Sequence, residues 1–312
     1  MTGRDDRAWC APTALPAEVL VFGADIKDAL GVGAAGKLGV LDLALAPRAG
    51  STRVVRQYQR SPLYVYRPIY LDPVRPDMAF VFLQQQGDGF VQGDRYRVDV
   101  ECAPGAAVHL TTQAATKVFR AHDNFATQLV NLHVGAGGVL EYLPDPVIPF
   151  RGSRLYQRTC LTVGADATVI FGEILLPGRT ARGERHMYDV YWADTEVRGT
   201  DGSLWFADTL RLRPGGVDDP ASPGVLGGYD VLASLYVVCS CTPPSDLVAL
   251  LRDALADVPE VLAGVTELPA GRGAAVRVLG HTSKAVQAAM HAAWERARIA
   301  LIGAPVPNLR KA

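Results

Sequence analysis

YRVDVECAPGAAVHLTT, residues 96–112, reads as a strand, a turn of small residues and a second strand. The same order recurs in LVNLHVGAGGVLEYL (129–143) and QRTCLTVGADATVIFGEI (157–174), with turns near Gly105, Gly137 and Asp166. The copies are about thirty residues apart. A unit this short cannot bury its own apolar face, so its recurrence predicts stacked strand pairs, as in a β-solenoid or a layered β-sandwich.

The β texture extends in both directions. LGVLDLALAP (38–47), RVVRQYQ (53–59) and LYVYRPIYL (63–71) are short runs of β-branched and aromatic residues cut by Pro and Gly, and the pattern holds from residue 37 to about 213. Residues 1–36, rich in Ala, Gly and Pro with weak periodicity, form an extension of uncertain order. RPGGVDDPASPGVLGGYD (213–230) reads as a surface loop. Beyond it, residues 231–312 alternate strand and helix. LASLYVVCS is a strand, and Ser245 can cap a helix with Leu247, Leu250, Leu251 and Leu255 on one face. AAVRVLG follows as a strand, and Thr282 or Ser283 can cap a longer helix carrying Val286, Met290, Trp294 and Ala297 and ending at Gly303. The expected fold is mainly β: a β-helical, solenoid-like body over 37–213 with a small α/β layer and two helices over 231–312.

Composition narrows the function. The 31 Lys and Arg nearly balance 32 Asp and Glu, so charge supplies no argument for nucleic acid or an anionic membrane. No apolar stretch approaches the roughly 20 residues of a bilayer span, and MTGRDDRAW has no secretory apolar core. Five scattered cysteines, Cys10, Cys102, Cys160, Cys239 and Cys241, read as reduced thiols, and a cytoplasmic protein is expected.

Catalytic patterns are lacking. The six histidines form no H-E-x-x-H, and neither G-x-S-x-G nor a Cys-protease signature is present. Gly31, Gly33 and Gly36 match the dinucleotide G-x-G-x-x-G spacing, but the charged ADIKDAL precedes them where a buried strand should stand. Cys239 and Cys241 share one face of a strand, yet no second ligand pair accompanies them, and core thiols are the simpler reading. Arg48, Arg53, Arg56, Arg60 and Arg67, interleaved with Tyr58, Tyr64 and Tyr66, suit either a solvated strand face or a protein interface. Thr111, Thr112, Gln113, Thr116 and Lys117 set polar groups between apolar strands. There they must knit neighbouring rungs together or line a polar passage.

Several of these segments together resemble the UreD (UreH) family of urease accessory proteins, over about residue 37 to the end of the chain. The resemblance rests on SPLYVYRPIY (61–70), FVQGDRYRVDVECAPGA (90–106), LTTQAATKVFR (110–120), VLEYLP (139–144), Glu173 within FGEI, and GRTARGE (178–184), in the family's order and spacing. QQQGDGF (84–90) departs from the family's pattern. So does LPDP (143–146), where the second acidic position of the family's motif moves to Asp145. The resemblance implies a non-enzymatic, mostly β-helical scaffold that binds apo-urease, contacts UreF directly through its C-terminal helices and reaches the GTPase UreG through UreF. It also implies help with nickel insertion, through a passage for transient Ni²⁺ and with no tightly bound cofactor. A conduit must bind its ion weakly enough to release it, which favours scattered acids over a Cys or His cage. The candidates are Asp94, Glu141, Asp145, Glu173, Glu184 and His186, with Thr111, Thr112, Gln113, Thr116 and Lys117 as polar lining. Met290, Trp294 and Ala297 are the candidate UreF surface, since aromatic anchors commonly dominate binding. The alternatives are an unrelated β-solenoid interaction module and an enzyme whose site no motif reveals; the first predicts no association with urease, the second turnover by the isolated chain.

Overall fold

The small-residue turns are corners that stack. In the computed structural model, which describes residues 3, 4, 6–23, 36–87, 89–309 and 311, Gly105, Gly137 and Asp166 all take left-handed φ, at 70°, 62° and 53°. Gly and Asp are among the residues that reach this region most readily. Each corner bonds the next: Gly105 N–H donates to Ala136 O at 2.9 Å, and Gly137 N–H donates to Ala165 O at 2.8 Å. Close approach adds a second constraint, since a Cβ on Gly135 would lie 2.5 Å from Pro104 N and 2.8 Å from Ala103 C. Gly135→Ala must separate two backbone segments and is expected to cost about 2 kcal/mol. Urea titration would show this as a lower midpoint at unchanged slope.

The corners join two sheets. After two short helices, α1 (Arg7–Cys10) and α2 (Ala17–Leu20), the chain forms β1 (Leu38–Arg48), β2 (Ser51–Arg60), β3 (Leu63–Val65), β4 (Ala79–Gln85) and β5 (Gly89–Phe90). Coils then repeat: β6 (Arg95–Cys102), β7 (Ala107–Thr112) and β8 (Thr116–Val118); β9 (Ala126–Val134), β10 (Val139–Tyr142) and β11 (Val147–Pro149); β12 (Arg154–Val163) and β13 (Thr168–Leu175). Next come β14 (Val190–Gly199), β15 (Leu204–Leu212), β16 (Val231–Val238), α3 (Pro244–Ala256), β17 (Val261–Glu267), β18 (Gly273–Gly280) and α4 (Ser283–Ile302). The first sheet runs β15-β14-β12-β9-β6-β1-β2 and the second β17-β18-β16-β13-β10-β7-β4-β3. The short β5, β8 and β11 pair in parallel along a third side.

Register confirms a solenoid of about four turns. Arg95 lies beside Thr127, and Thr127 beside Tyr156, all in parallel. The outermost pair at each of the four sheet edges is instead antiparallel: β1–β2, β14–β15, β3–β4 and β17–β18. Inside, alternate residues from both sheets form one apolar core, with Tyr142, Phe171, Tyr236 and Phe206 stacked at centroid spacings of 5.4–5.7 Å. A second core lies between the outer face of the second sheet and α3 with α4.

Two details of the α/β layer differ from expectation. Ser245 does not cap α3; Pro243 occupies the cap and Pro244 the first turn, where a missing N–H costs nothing. An additional strand, β17, follows α3. Its VLAGVTE sequence has weak alternation and mostly exposed side chains, as suits an edge. Thr282 does cap α4, accepting from Ala285 N–H, and Gly303 ends it at φ 73°. Gly31 and Gly33 of the glycine triplet lie outside the described residues.

Candidate functional site

A polar layer crosses the apolar interior from coil to coil. On the second sheet it is built from Gln85, Thr112, Glu173, Ser234 and Arg277, each at the inward parity of its strand; Glu173, Ser234 and Arg277 sit side by side in register. Facing them, Gln128, Gln157 and Thr159 point inward from β9 and β12, in step with Val130, Leu155 and Leu161 of the core. Two neighbouring cavities follow the layer. One, of about 80 Å³, is lined by Gln85, Gln113, Thr116, Lys117 and Gln128; the other, of about 30 Å³, by Asp145, Gln157, Thr159 and Glu173, with Thr112, Thr116 and Gln128 common to both. Both exceed the roughly 10–15 Å³ one water requires. Among the described residues, Gln85 Nε2 and Ser234 Oγ are buried without a hydrogen-bond partner, as groups that serve water or a passing ligand would be.

Glu173 is the central acid of this layer. Its carboxylate accepts from Gln157 Nε2 at 2.8 Å. Protein surrounds it, and its remaining accessible surface faces the cavity. Burial pushes its pKa up to about 7; Arg277 and the Gln157 hydrogen bond oppose the rise, and Asp208 adds to it. Asp208 closes the layer on the β15 side, accepting from Arg277 at 2.6 Å and from the Tyr236 hydroxyl. A carboxyl poised near neutrality can hold a proton at rest and release it to a cation. Asp145 lies at the rim of the smaller cavity. Its Oδ2 accepts from Thr112 Oγ1 at 3.3 Å and its N–H donates to the same hydroxyl at 2.7 Å.

Of the residues expected in a passage, the structure brings together Asp145, Glu173, Thr112, Gln113, Thr116 and Lys117. Thr111 has opposite parity to Thr112 and faces outward, its Oγ1 donating to Leu143 O at 2.5 Å. The other three acids and the histidine are elsewhere. Asp94 is a turn builder: its carboxylate accepts from Val91 N–H, Lys37 N–H and the Tyr96 hydroxyl at 2.7–2.9 Å. Glu184 is paired with Arg179 and accepts from Arg151 N–H. His186 lies with Asp230, Arg185 and His281 beyond the end of the second sheet, its Nε2 4.0 Å from Asp230 Oδ1.

Glu141 belongs to a separate, fully buried network on the outer face of the second sheet. Its Oε2 meets His109 Nδ1 at 2.7 Å, while Oε1 accepts from Trp294 Nε1 at 3.1 Å and Arg298 Nε at 2.7 Å. Arg298 also donates to Asp72 Oδ2 at 2.6 Å and to Pro305 O. His109 is stacked between Phe80 and Trp294. Burial pushes the Glu141 pKa up, but His109, Arg298 and Trp294 outweigh it and hold the carboxyl below its ordinary range. The network fastens α4 to β7 and β10.

Met290, Trp294 and Ala297, expected on a partner surface, are therefore turned inward, at 7%, 7% and 0% exposure. The helical periodicity that singled them out marks the core-facing stripe; Gln287, His291 and Ile299 face outward instead. Sequence reasoning missed Gln128, Gln157, Ser234 and Asp208, although inward parity among apolar neighbours marks each once the strands are known. It also missed His109, Asp72 and Arg298, which no local pattern connects.

All five cysteines are free thiols; Cys239 is buried and Cys241 exposed, and burial raises the Cys239 pKa to about 11. Among the described residues no three His, Cys, Asp or Glu are arranged to hold a metal ion, and no helix is long and apolar enough to cross a membrane.

Stacked corners, parallel register and a polar layer through an apolar core define a β-solenoid protein. Comparison with known proteins makes this specific. The sequence model described as UreD urease accessory protein matches residues 37–312. A urease accessory protein UreD 2 from Streptomyces griseus is 47% identical over 292 residues, covering 92% of this chain and 98% of the relative. UreD proteins of Haloarcula marismortui and Cenarchaeum symbiosum are 39% and 34% identical, each over 90% of this chain and over 92% and 99% of their own lengths. The chain belongs to the UreD family of urease accessory proteins, with a role in urease maturation. Family membership sets aside the unrelated module and the concealed enzyme.

Proposed function

We propose that this chain is a cytoplasmic maturation chaperone that binds apo-urease and UreF, is linked to UreG through UreF, and passes Ni²⁺ along its polar layer toward the urease site. The observation that carries the nickel reading is the continuous row of oxygen and amide groups around Glu173 within an otherwise apolar solenoid. Ni²⁺ accepts carboxylate and water ligands. Acids spaced among neutral oxygens, with room for water, retain the ion less than a multidentate cage would. No tightly bound cofactor is needed; nickel is cargo. The partner face is assigned to the outer side of α4, because its inner stripe is committed to the second core.

The test is co-expression of urease subunits, UreF and UreG with and without this chain at limiting nickel. Urease that gains full nickel occupancy without the chain, or a chain that fails to co-purify with urease and UreF, would overturn the proposal.

A further inference from the structure

The segment that follows α4 does not trail into solvent. Ala304 is fully buried, Pro305 O accepts from Arg298, Val306 packs on the second core, and Leu309 packs on the cluster of Met78, Phe80 and Ala107. These contacts carry the segment across the outer face of the second sheet to the rim of the polar layer. There Lys311 Nζ donates to Asp145 Oδ1 at 2.8 Å and to Thr111 Oγ1 at 2.7 Å. The ammonium is three-quarters buried, and Asp145 is similarly enclosed. Asp145 thus has one carboxylate oxygen on Lys311 and the other on Thr112 Oγ1, the hydroxyl that lines both cavities.

The Phe82 ring lies 6.0 Å from the ammonium, whose hydrogen-bond partners among the described residues are both oxygens, the Asp145 carboxylate and the Thr111 hydroxyl. This is the chemistry that a hard or borderline divalent cation accepts, with one charge and a neutral hydroxyl in place of a cage. We propose that the Asp145 carboxylate and the Thr111 hydroxyl, with Thr112 holding the second Asp145 oxygen, form a divalent-cation site at the side of the passage, and that Lys311 occupies it as a built-in competitor. The inference rests on the nickel-passage reading and adds an entry point with a plug. Removing the strap from Asp145 opens the site; a partner that engages the segment after α4 is placed to do so.

The test uses the full chain and Ni²⁺ alone, by isothermal titration calorimetry. Lys311→Ala is expected to bind Ni²⁺ about tenfold more tightly than wild type, the factor one charge-assisted hydrogen bond represents. Lys311→Arg, which restores a cation, is expected to return affinity toward wild type, and Asp145→Asn combined with Lys311→Ala to abolish the gain. Equal Ni²⁺ binding by wild type and Lys311→Ala, or a gain that survives Asp145→Asn, overturns the proposal. The two ideas separate cleanly. If Glu173→Gln impairs urease activation while Lys311→Ala leaves Ni²⁺ binding unchanged, the passage stands and the plug falls. If Lys311→Ala tightens Ni²⁺ binding through Asp145 while Glu173→Gln activates urease normally, the site stands and the passage falls.

Discussion

Arg298→Ala is expected to destabilise the chain by about 3–5 kcal/mol and to lower Tm by roughly ten degrees. The guanidinium is fully buried and stands between two buried carboxylates, Glu141 and Asp72. Removing it leaves Asp72 without its buried guanidinium partner and Glu141 with His109 and Trp294. The cost is mainly that of the unpaired charges left behind; a well-packed apolar replacement of the whole network could be neutral. Arg298→Ala combined with Glu141→Gln should therefore be less destabilised than the sum of the single variants, by a coupling of about 1–3 kcal/mol. Thermal unfolding of the four proteins in the cycle checks this, and additive values would show that the carboxylate and guanidinium act independently. The pH sign follows from the lowered Glu141 pKa. Its contribution is complete above the ordinary glutamate range near 4.5 and is lost as pH falls through the lower, folded-state pKa. Arg298→Ala should thus lose least relative to wild type in strong acid.

Glu173→Gln is the second large effect, with the opposite sign of pH dependence. Its folded-state pKa, about 7, exceeds the unfolded value of 4.5, so between these pH values the folded chain holds the proton more firmly. Stability due to this group is full below pH 4.5 and falls as pH rises to about 7, beyond which the cost of a buried carboxylate is constant. Glutamine is neutral throughout and matches the shape. The variant should gain about 2 kcal/mol on wild type between pH 5 and 8. Urea midpoints at the two pH values measure it. The same substitution should remove most urease activation at limiting Ni²⁺ while leaving co-purification with urease and UreF intact. A variant whose difference from wild type does not change with pH and that activates urease normally would show that Glu173 is filling, not a conduit residue.

Much of the architecture is legible because corners are chemically constrained. Gly105, Gly137 and Asp166 recur where the backbone is left-handed, and Gly135 stands where close approach excludes a side chain, so the coil length is written in the chain. The site is legible only in part. Thr112 and Glu173 stand out as polar residues at inward positions. Glu141 is one position out of step with Leu140 and Tyr142, both interior, so its side chain belongs outside the coil. It reads as a passage acid only while α4, which covers that outer face, is unknown. The partners Asp72 and Arg298 are too far apart in sequence for any periodicity to join them. For α4, alternation of apolar and polar faces was visible, but an amphipathic pattern does not say which apolar side meets the protein's own sheet.

The antiparallel pairs at all four sheet edges have a consequence for the molecule as an object of fixed length. A parallel coil ending in a bare parallel edge invites another copy to continue the stack, and growth of that kind leads to fibres. Here each end reverses direction, so a second chain meets a strand of the wrong polarity for the next rung. The number of turns is set by the chain itself and not by association. The cargo path proposed across those turns accordingly begins and ends at defined places, and every copy of the protein measures out the same distance.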